Sequence, residues 1–195
     1  DAQFRLGHLY YDGKEITKDL KEAVKWWTRS ADKGHALSLA NLGVLHKTGT
    51  GVKKNKKMAY LLLRAAVDLG ELGSLNDLAI MYKNGEGVKQ NCAEAISLFK
   101  LAVKLGCSSS QINLGKMYYS GEVGKKNYKK AIRLFRLAAK QGDSDGQDSL
   151  GHMYDQGKGV KQDYVEAARL YRLAADQGLA CSQYNLGIMY FYDIG

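Results

Sequence analysis

An all-α solenoid of antiparallel helix pairs is the fold this sequence predicts. Three observations predict it: a 36-residue internal period, apolar residues at helical spacing inside each period, and glycines at matched positions where helices must stop. The period is visible as Leu6-Gly7, Leu42-Gly43, Leu78-Ala79, Leu114-Gly115, Leu150-Gly151 and Leu186-Gly187. Three residues after each small residue stands Tyr10, His46, Tyr82, Tyr118, Tyr154 or Tyr190, and three further on comes Gly13, Gly49, Gly85, Gly121 or Gly157. Residues 1–195 therefore read as one solenoid domain of five full repeats and the first helix of a sixth. A start inside a helix and a stop inside a turn make the chain look like an excerpt from a longer array.

The first helix of each repeat follows from positions such as Gln147, Leu150, Gly151 and Tyr154, which share one helical face. The turn after it, Gly157-Lys158-Gly159-Val160, invites comparison with a phosphate-cradling loop. It follows a helix instead of a strand, however, and lacks the Gly-Lys-Ser/Thr ending. It recurs as Gly49-Thr50-Gly51-Val52 and Gly85-Glu86-Gly87-Val88, so it is a corner, and Lys158 reads as a surface residue free to vary.

The second helix opens at Asp19, Asn55, Asn91, Asn127 or Asp163, side chains suited to accept from unpaired N–H groups of a first turn. Glu22, Glu94 and Glu166, three residues on, predict capping boxes in those repeats. Ala167, Leu170, Tyr171, Ala174 and Ala175 supply its apolar face, and the Gly34, Gly70, Gly106, Gly142 and Gly178 column supplies its stop. The Gly151 column is expected to pack against Ala174 and Ala175, with Tyr154 and Tyr171 filling the space beyond. The aromatic stripes are therefore core and not a ligand cage.

Between Gly142 and Gly178 the chain fits A/S-x-x-Q-x-x-L-G-x-M-Y-x-x-G-x-G-V-x-x-D-x-x-x-A-x-x-L-Y/F-x-x-A-A-x-x-G, which resembles the Sel-one-like repeat, a relative of the tetratricopeptide repeat with a longer turn. The resemblance runs through the whole chain. It implies a right-handed superhelix of antiparallel helix pairs, used as an adaptor or scaffold that binds other proteins, with no catalytic residues in the motif. Lys14-Glu15-Ile16 lacks the second glycine, Gly121-Glu122-Val123-Gly124 displaces it, His46 replaces a tyrosine and Ala79 a glycine. These departures bear on local turns and packing, not on the fold.

Function is expected on residues that the repeat leaves free. On the first helix these lie at and beside Phe4, Ala40, Asn76, Ile112, Asp148 and Tyr184. By analogy with related helical repeats this helix lines the concave surface. The candidate partner-binding residues there are Arg5, His8, Asn41, Asp77, Asn113, Lys116, Tyr119, Ser149, His152, Tyr184 and Asn185. Amides along a groove offer both donors and acceptors to an extended peptide, although the same asparagines could equally bond neighbouring helices.

The net charge of +9 is concentrated at two places, Lys53, Lys54, Lys56 and Lys57, and Lys125, Lys126, Lys129 and Lys130. Both clusters fall at the turn into a second helix and form a secondary basic rim. Charge alone does not specify nucleic acid, and helical repeats that read RNA carry a fixed code of side chains and shorter turns than these, so nucleic acid is the less expected partner; an acidic protein or anionic glycan would serve the rim equally well. His8, His35, His46 and His152 have no ligand spacing, so no metal site is expected, and no catalytic set can be assembled from repeat neighbours. No cofactor is predicted. Cys92, Cys107 and Cys181 lack paired spacing and read as isolated thiols, and no apolar run is long enough for a membrane span. Compartment is left open. Ala180 to Tyr192 is expected to leave an apolar face uncovered, open to a further repeat or a second copy. The sequence thus predicts a non-enzymatic protein-interaction scaffold, with polyanion binding through the rim as the alternative.

Overall fold

The computed structural model describes residues 2–194. Among these it contains α-helices, one short 3-10 turn at Leu72–Ser74, and no strand. The helices are α1 (Ala2–Asp12), α2 (Leu20–Ala31), α3 (Ala36–Thr48), α4 (Lys56–Asp68), α5 (Leu75–Asn84), α6 (Cys92–Lys104), α7 (Ser108–Ser120), α8 (Tyr128–Lys140), α9 (Ser144–Asp155), α10 (Tyr164–Asp176) and α11 (Ala180–Phe191). Each predicted first and second helix is present, as an all-helical solenoid with a repeat of about 36 residues requires. Packing divides the chain into two compact units, Asp1–Leu98 and Phe99–Gly195. Within the first, α1 packs on α2, α2 on α3, α3 on α4 and α4 on α5. Within the second, α7 packs on α8, α8 on α9, α9 on α10 and α10 on α11.

Capping starts the second helices as predicted, but by one half of the expected box. Asn127 Oδ1 accepts from the Lys130 N–H at 3.0 Å and Asp163 Oδ1 from the Glu166 N–H at 2.9 Å. Glu22 and Glu166 do not fold back to complete it. They pair with Lys25 at 2.9 Å and Arg169 at 2.7 Å instead. The N–H groups they were expected to satisfy donate across the turn: Asp19 to the Tyr10 carbonyl at 3.0 Å and Asp163 to that of Tyr154 at 3.1 Å. The same bond recurs from Asn55, Asn91 and Asn127. A backbone bond repeated every period fixes the turn more firmly than a flexible carboxylate would.

The corner needs its second glycine for more than conformation. Gly87 has φ +74°, and a Cβ there would stand 2.1 Å from the Lys56 carbonyl oxygen. Gly159 meets the backbone of Tyr128 in the same way, at 2.8 Å. The corner thus seats on the start of the preceding second helix. A Cβ on the displaced Gly124 has no neighbour within 4 Å.

The core differs from expectation in its partners. A Cβ on Gly7, Gly43, Gly115 or Gly151 would meet Trp27, Leu63, Phe135 or Tyr171 at 2.5, 2.7, 2.6 or 3.0 Å, not the alanine pair. A second small column is buried at one step from the second repeat onward, and at Gly146 it meets Ala138 of the alanine column. Ser38, Ser74, Ser110 and Ser182 are buried there, and Gly146, at the same step, would bring a Cβ to 2.6 Å from the Ala138 Cβ. Trp27, Leu63, Phe99, Phe135 and Tyr171 form the buried stripe. The Tyr154 stripe is not core throughout: Tyr82 is buried, Tyr154 half-buried and Tyr190 59% exposed. Ala40 and Ile112, expected to be free, are buried as well. Two amide pairs tie the first helix of a repeat to the end of its second, with Gln141 Nε2 donating to Gln111 Oε1 at 2.9 Å and Gln177 Nε2 to Gln147 Oε1 at 2.8 Å. No helix among the described residues is long and apolar enough to cross a membrane.

Candidate functional site

Residues three apart on a helix project from one face, so two such residues on one first helix form a wall. The following first helix forms the other wall, and the large side chain of the second helix between them forms the floor. In the first unit this arrangement opens a cleft of about 140 Å³ lined by His8, Tyr11, Trp27, Asn41, Val44 and Leu45. In the second unit a cleft of about 170 Å³ is lined by Lys116, Tyr119, Phe135, Ser149, His152 and Met153, with Asp148 beside them. Each of those six positions lies three repeats beyond its counterpart in the first. A third cleft, of about 260 Å³, uses the same positions one repeat further on: His152, Asp155, Tyr171, Asn185, Ile188 and Met189. One geometry thus recurs with different chemistry on its walls.

The second cleft is the most cationic of the three. Lys158 Nζ donates to the Tyr119 hydroxyl oxygen at 2.7 Å and lies 5.0 Å from the centre of its ring. The same hydroxyl lies 3.2 Å from His152 Nε2 and donates to it when that nitrogen carries no proton. The bond to Tyr119 raises the Lys158 pKa above the ordinary lysine value. Lys116 is exposed at the mouth. Asp148 accepts from the Ser182 hydroxyl at 2.6 Å, which engages the one carboxylate in the lining. Such a cleft suits a carboxylate with an apolar neighbour.

The first cleft is closer to neutral. His8 Nε2 lies 3.2 Å from Asp12 Oδ2, and the Tyr11 ring packs 5.3 Å from that of Trp27. One repeat beyond it in the same unit, the two opposing wall positions hold Lys47 and Asp77, which bond at 2.8 Å. There the walls are joined to each other.

The predicted site residues therefore sort by position. His8, Asn41, Lys116, Tyr119, Ser149, His152 and Asn185 line the clefts. Arg5 is exposed on α1 outside the cleft lining, and Tyr184 is 70% exposed on α11. Asn113 is half-buried and already engaged. Lys158, read from the sequence as an uncommitted turn residue, instead reaches back over Tyr119. No column marks it, because the corner that carries it is what repeats and the reach of its side chain is not. The rim lysines Lys53, Lys54, Lys56, Lys57, Lys125, Lys126, Lys129 and Lys130 are all exposed; Lys56 pairs with Glu86 at 3.6 Å. Tyr190, Phe191 and Tyr192 are also exposed at the end of α11.

No cluster of three or more His, Cys, Asp or Glu able to hold a metal occurs among the described residues. Cys92, Cys107 and Cys181 are free thiols. Desolvation and the nearby Asp148 carboxylate push the Cys181 pKa up, which disfavours the reactive thiolate.

A family model described as Sel1 repeat matches residues 1–35, 36–71, 73–107, 108–143, 144–179 and 182–195. Among solved structures, the chain is 34% identical to c5321, a protective antigen of uropathogenic Escherichia coli displaying an SLR fold, with a TM-score of 0.86. That likeness covers 99% of this chain and 42% of c5321. A Sel1 repeat protein from Oxalobacter formigenes is 30% identical with a TM-score of 0.90, covering 96% of this chain and 77% of that one. A third structure, from Klebsiella pneumoniae, shares the fold at 21% identity and a TM-score of 0.62, covering 97% and 92%. No curated protein matches the chain significantly.

Proposed function

The chain belongs to the Sel1-repeat family, and from that premise we propose that it is a non-enzymatic scaffold holding a segment of a protein partner along its first-helix clefts. Sel1-repeat proteins generally mediate protein–protein interaction, and the family is typically non-catalytic. One observation carries the finer reading: six equivalent positions open a cleft in three repeats while the residues on its walls change. Repeated geometry supplies a series of equal seats, and varied walls supply selectivity. The chemistry favours a segment that brings a carboxylate to Lys116, His152 and Lys158, and apolar side chains to the Phe135 and Trp27 floors. The concave first-helix face is the proposed surface, within one solenoid that spans the chain.

A second reading rests on the exposed rim. Lys125, Lys126 and Lys129 have no ion-pair partner among the described residues, so a polyanion, whether nucleic acid or glycan, is the competing ligand. Capture from a lysate by the intact chain, by Ser149→Arg and by Lys125→Glu with Lys126→Glu separates the two. Proteins lost only with Ser149→Arg support the cleft. Ligands lost only with the rim variant, and released between low and moderate salt, overturn it in favour of the polyanion.

A further inference from the structure

A different groove lies between successive second helices. In the second unit α6 and α8 flank it, α7 closes it from below, and it encloses about 390 Å³. Leu114, Tyr118, Leu134 and Leu137 give it an apolar floor and wall. Lys100, Lys104, Lys130 and Arg133 surround that surface, and no acidic residue lines it. None of the four cations has an ion-pair partner among the described residues; Lys130 instead lies 5.1 Å from the centre of the Tyr118 ring. The groove shares no residue with the first-helix clefts.

The next repeat of the same unit provides an internal control. Its groove, about 320 Å³, is lined at the same nine positions, one period on. There Glu166 stands where the first groove has Lys130, and it binds Arg169 through two bonds of 2.7 Å. Arg136, in the Lys100 position, donates to the Tyr154 hydroxyl at 3.2 Å. Shape is conserved between the two grooves, while a carboxylate offsets part of the charge in only one, pairing Arg169 and leaving Arg136 and Lys140 without an ion pair among the described residues. Four uncompensated cations around a floor that takes aliphatic side chains match a ligand that is both acidic and apolar.

We propose that the α6–α8 groove is a docking site for an acidic amphipathic segment of a partner protein, with aliphatic side chains against Leu114 and Leu137 and carboxylates on Lys100, Lys104, Lys130 and Arg133. The segment's glutamates or aspartates supply the carboxylate that Glu166 supplies internally one repeat later. Lys130 is the deciding residue, because it is where the two grooves differ in sign.

The test uses fluorescence anisotropy with a labelled synthetic peptide that carries leucines on one helical face and glutamates elsewhere. Wild-type protein binds it saturably, and Lys130→Glu weakens binding about tenfold, as loss of a charge-assisted contact and gain of a like charge require. That variant keeps its fold, since glutamate three residues after Asn127 repeats the arrangement of Asp163 and Glu166. Glu166→Lys strengthens binding by opening a second groove of the same kind. Melting curves confirm that each variant is folded. Equal affinity of wild type and Lys130→Glu overturns the proposal, as does absence of saturable binding. Equal affinity for a leucine-free glutamate peptide or for duplex DNA also overturns it, because a plain basic surface would then explain the binding.

Discussion

Gly115 lies beneath the Phe135 ring, where a Cβ would stand 2.6 Å from Cε1; Gly187, in the same repeat column, has no neighbour within 4 Å. One substitution therefore has opposite consequences at equivalent positions. Gly115→Ala displaces a buried ring and costs about 1–3 kcal/mol. Gly187→Ala meets nothing and improves helix propensity, which stabilises by up to about 1 kcal/mol. Thermal melts of the two variants check the ranking, and the reverse order would place the small column on the wrong side of the helix.

Lys47 and Asp77 join opposite cleft walls, so Asp77 acts within the fold before it acts on a ligand. With the two side chains 23% and 35% exposed, water screens the pair, and a double-mutant cycle should return a coupling of about 0.2–1 kcal/mol. Restoring stability with Asp77→Lys plus Lys47→Asp would confirm the pairing. A cycle with no coupling would return Asp77 to the ligand-facing set that its column suggests.

The repeat itself was legible because period, caps and glycines are properties of backbone geometry, written into residue type at fixed intervals. Helix pairs, the turn at Gly157 and the buried Trp27 stripe all follow from it. What the sequence conceals is direction and reach. Gly151 and Ala138 both look small and interior, yet Gly151 meets Tyr171 while Ala138 meets Gly146, and spacing alone does not pair one column with another. Lys158 shows the same limit: its backbone position is shared with Thr50 and Glu86, but only a lysine spans the distance to Tyr119. Asp77 stood out as a lone carboxylate among amides, and the sign of its partner on the neighbouring helix, thirty residues earlier, was the available signal.

Alkaline pH should expose the burial of Tyr171. Burial raises its pKa first, and the nearby Asp155 and Asp148 carboxylates add to the shift. The folded state thus keeps the phenol neutral where the unfolded chain releases its proton. Stability from this group is whole below the ordinary tyrosine value of about 10 and falls as pH rises from there toward the higher folded value. Denaturant titrations at successive pH values should show Tyr171→Phe losing stability less steeply above that point than wild type. Parallel curves would mean that Tyr171 ionises as freely in the fold as outside it.

Tyr119 holds Lys158 by its oxygen and faces His152 through the same hydroxyl, so the cationic cleft depends on one phenol group. Tyr119→Phe leaves the ring and the floor in place but removes the oxygen that holds the Lys158 ammonium beside the cleft. Lys158→Thr removes the ammonium itself and puts in the residue that Thr50 already supplies in another repeat, so the turn is preserved. Each change should weaken an acidic protein segment bound in this cleft by about 1 kcal/mol, the net value of a typical hydrogen bond. The double variant should be no weaker than either single one, because both remove one interaction. Calorimetry with the captured partner measures all four proteins, and melting curves that stay within a degree or so show that the fold is unaffected. Additive losses would mean that Tyr119 and Lys158 contact the ligand separately, and unchanged affinities would move the binding surface away from this cleft.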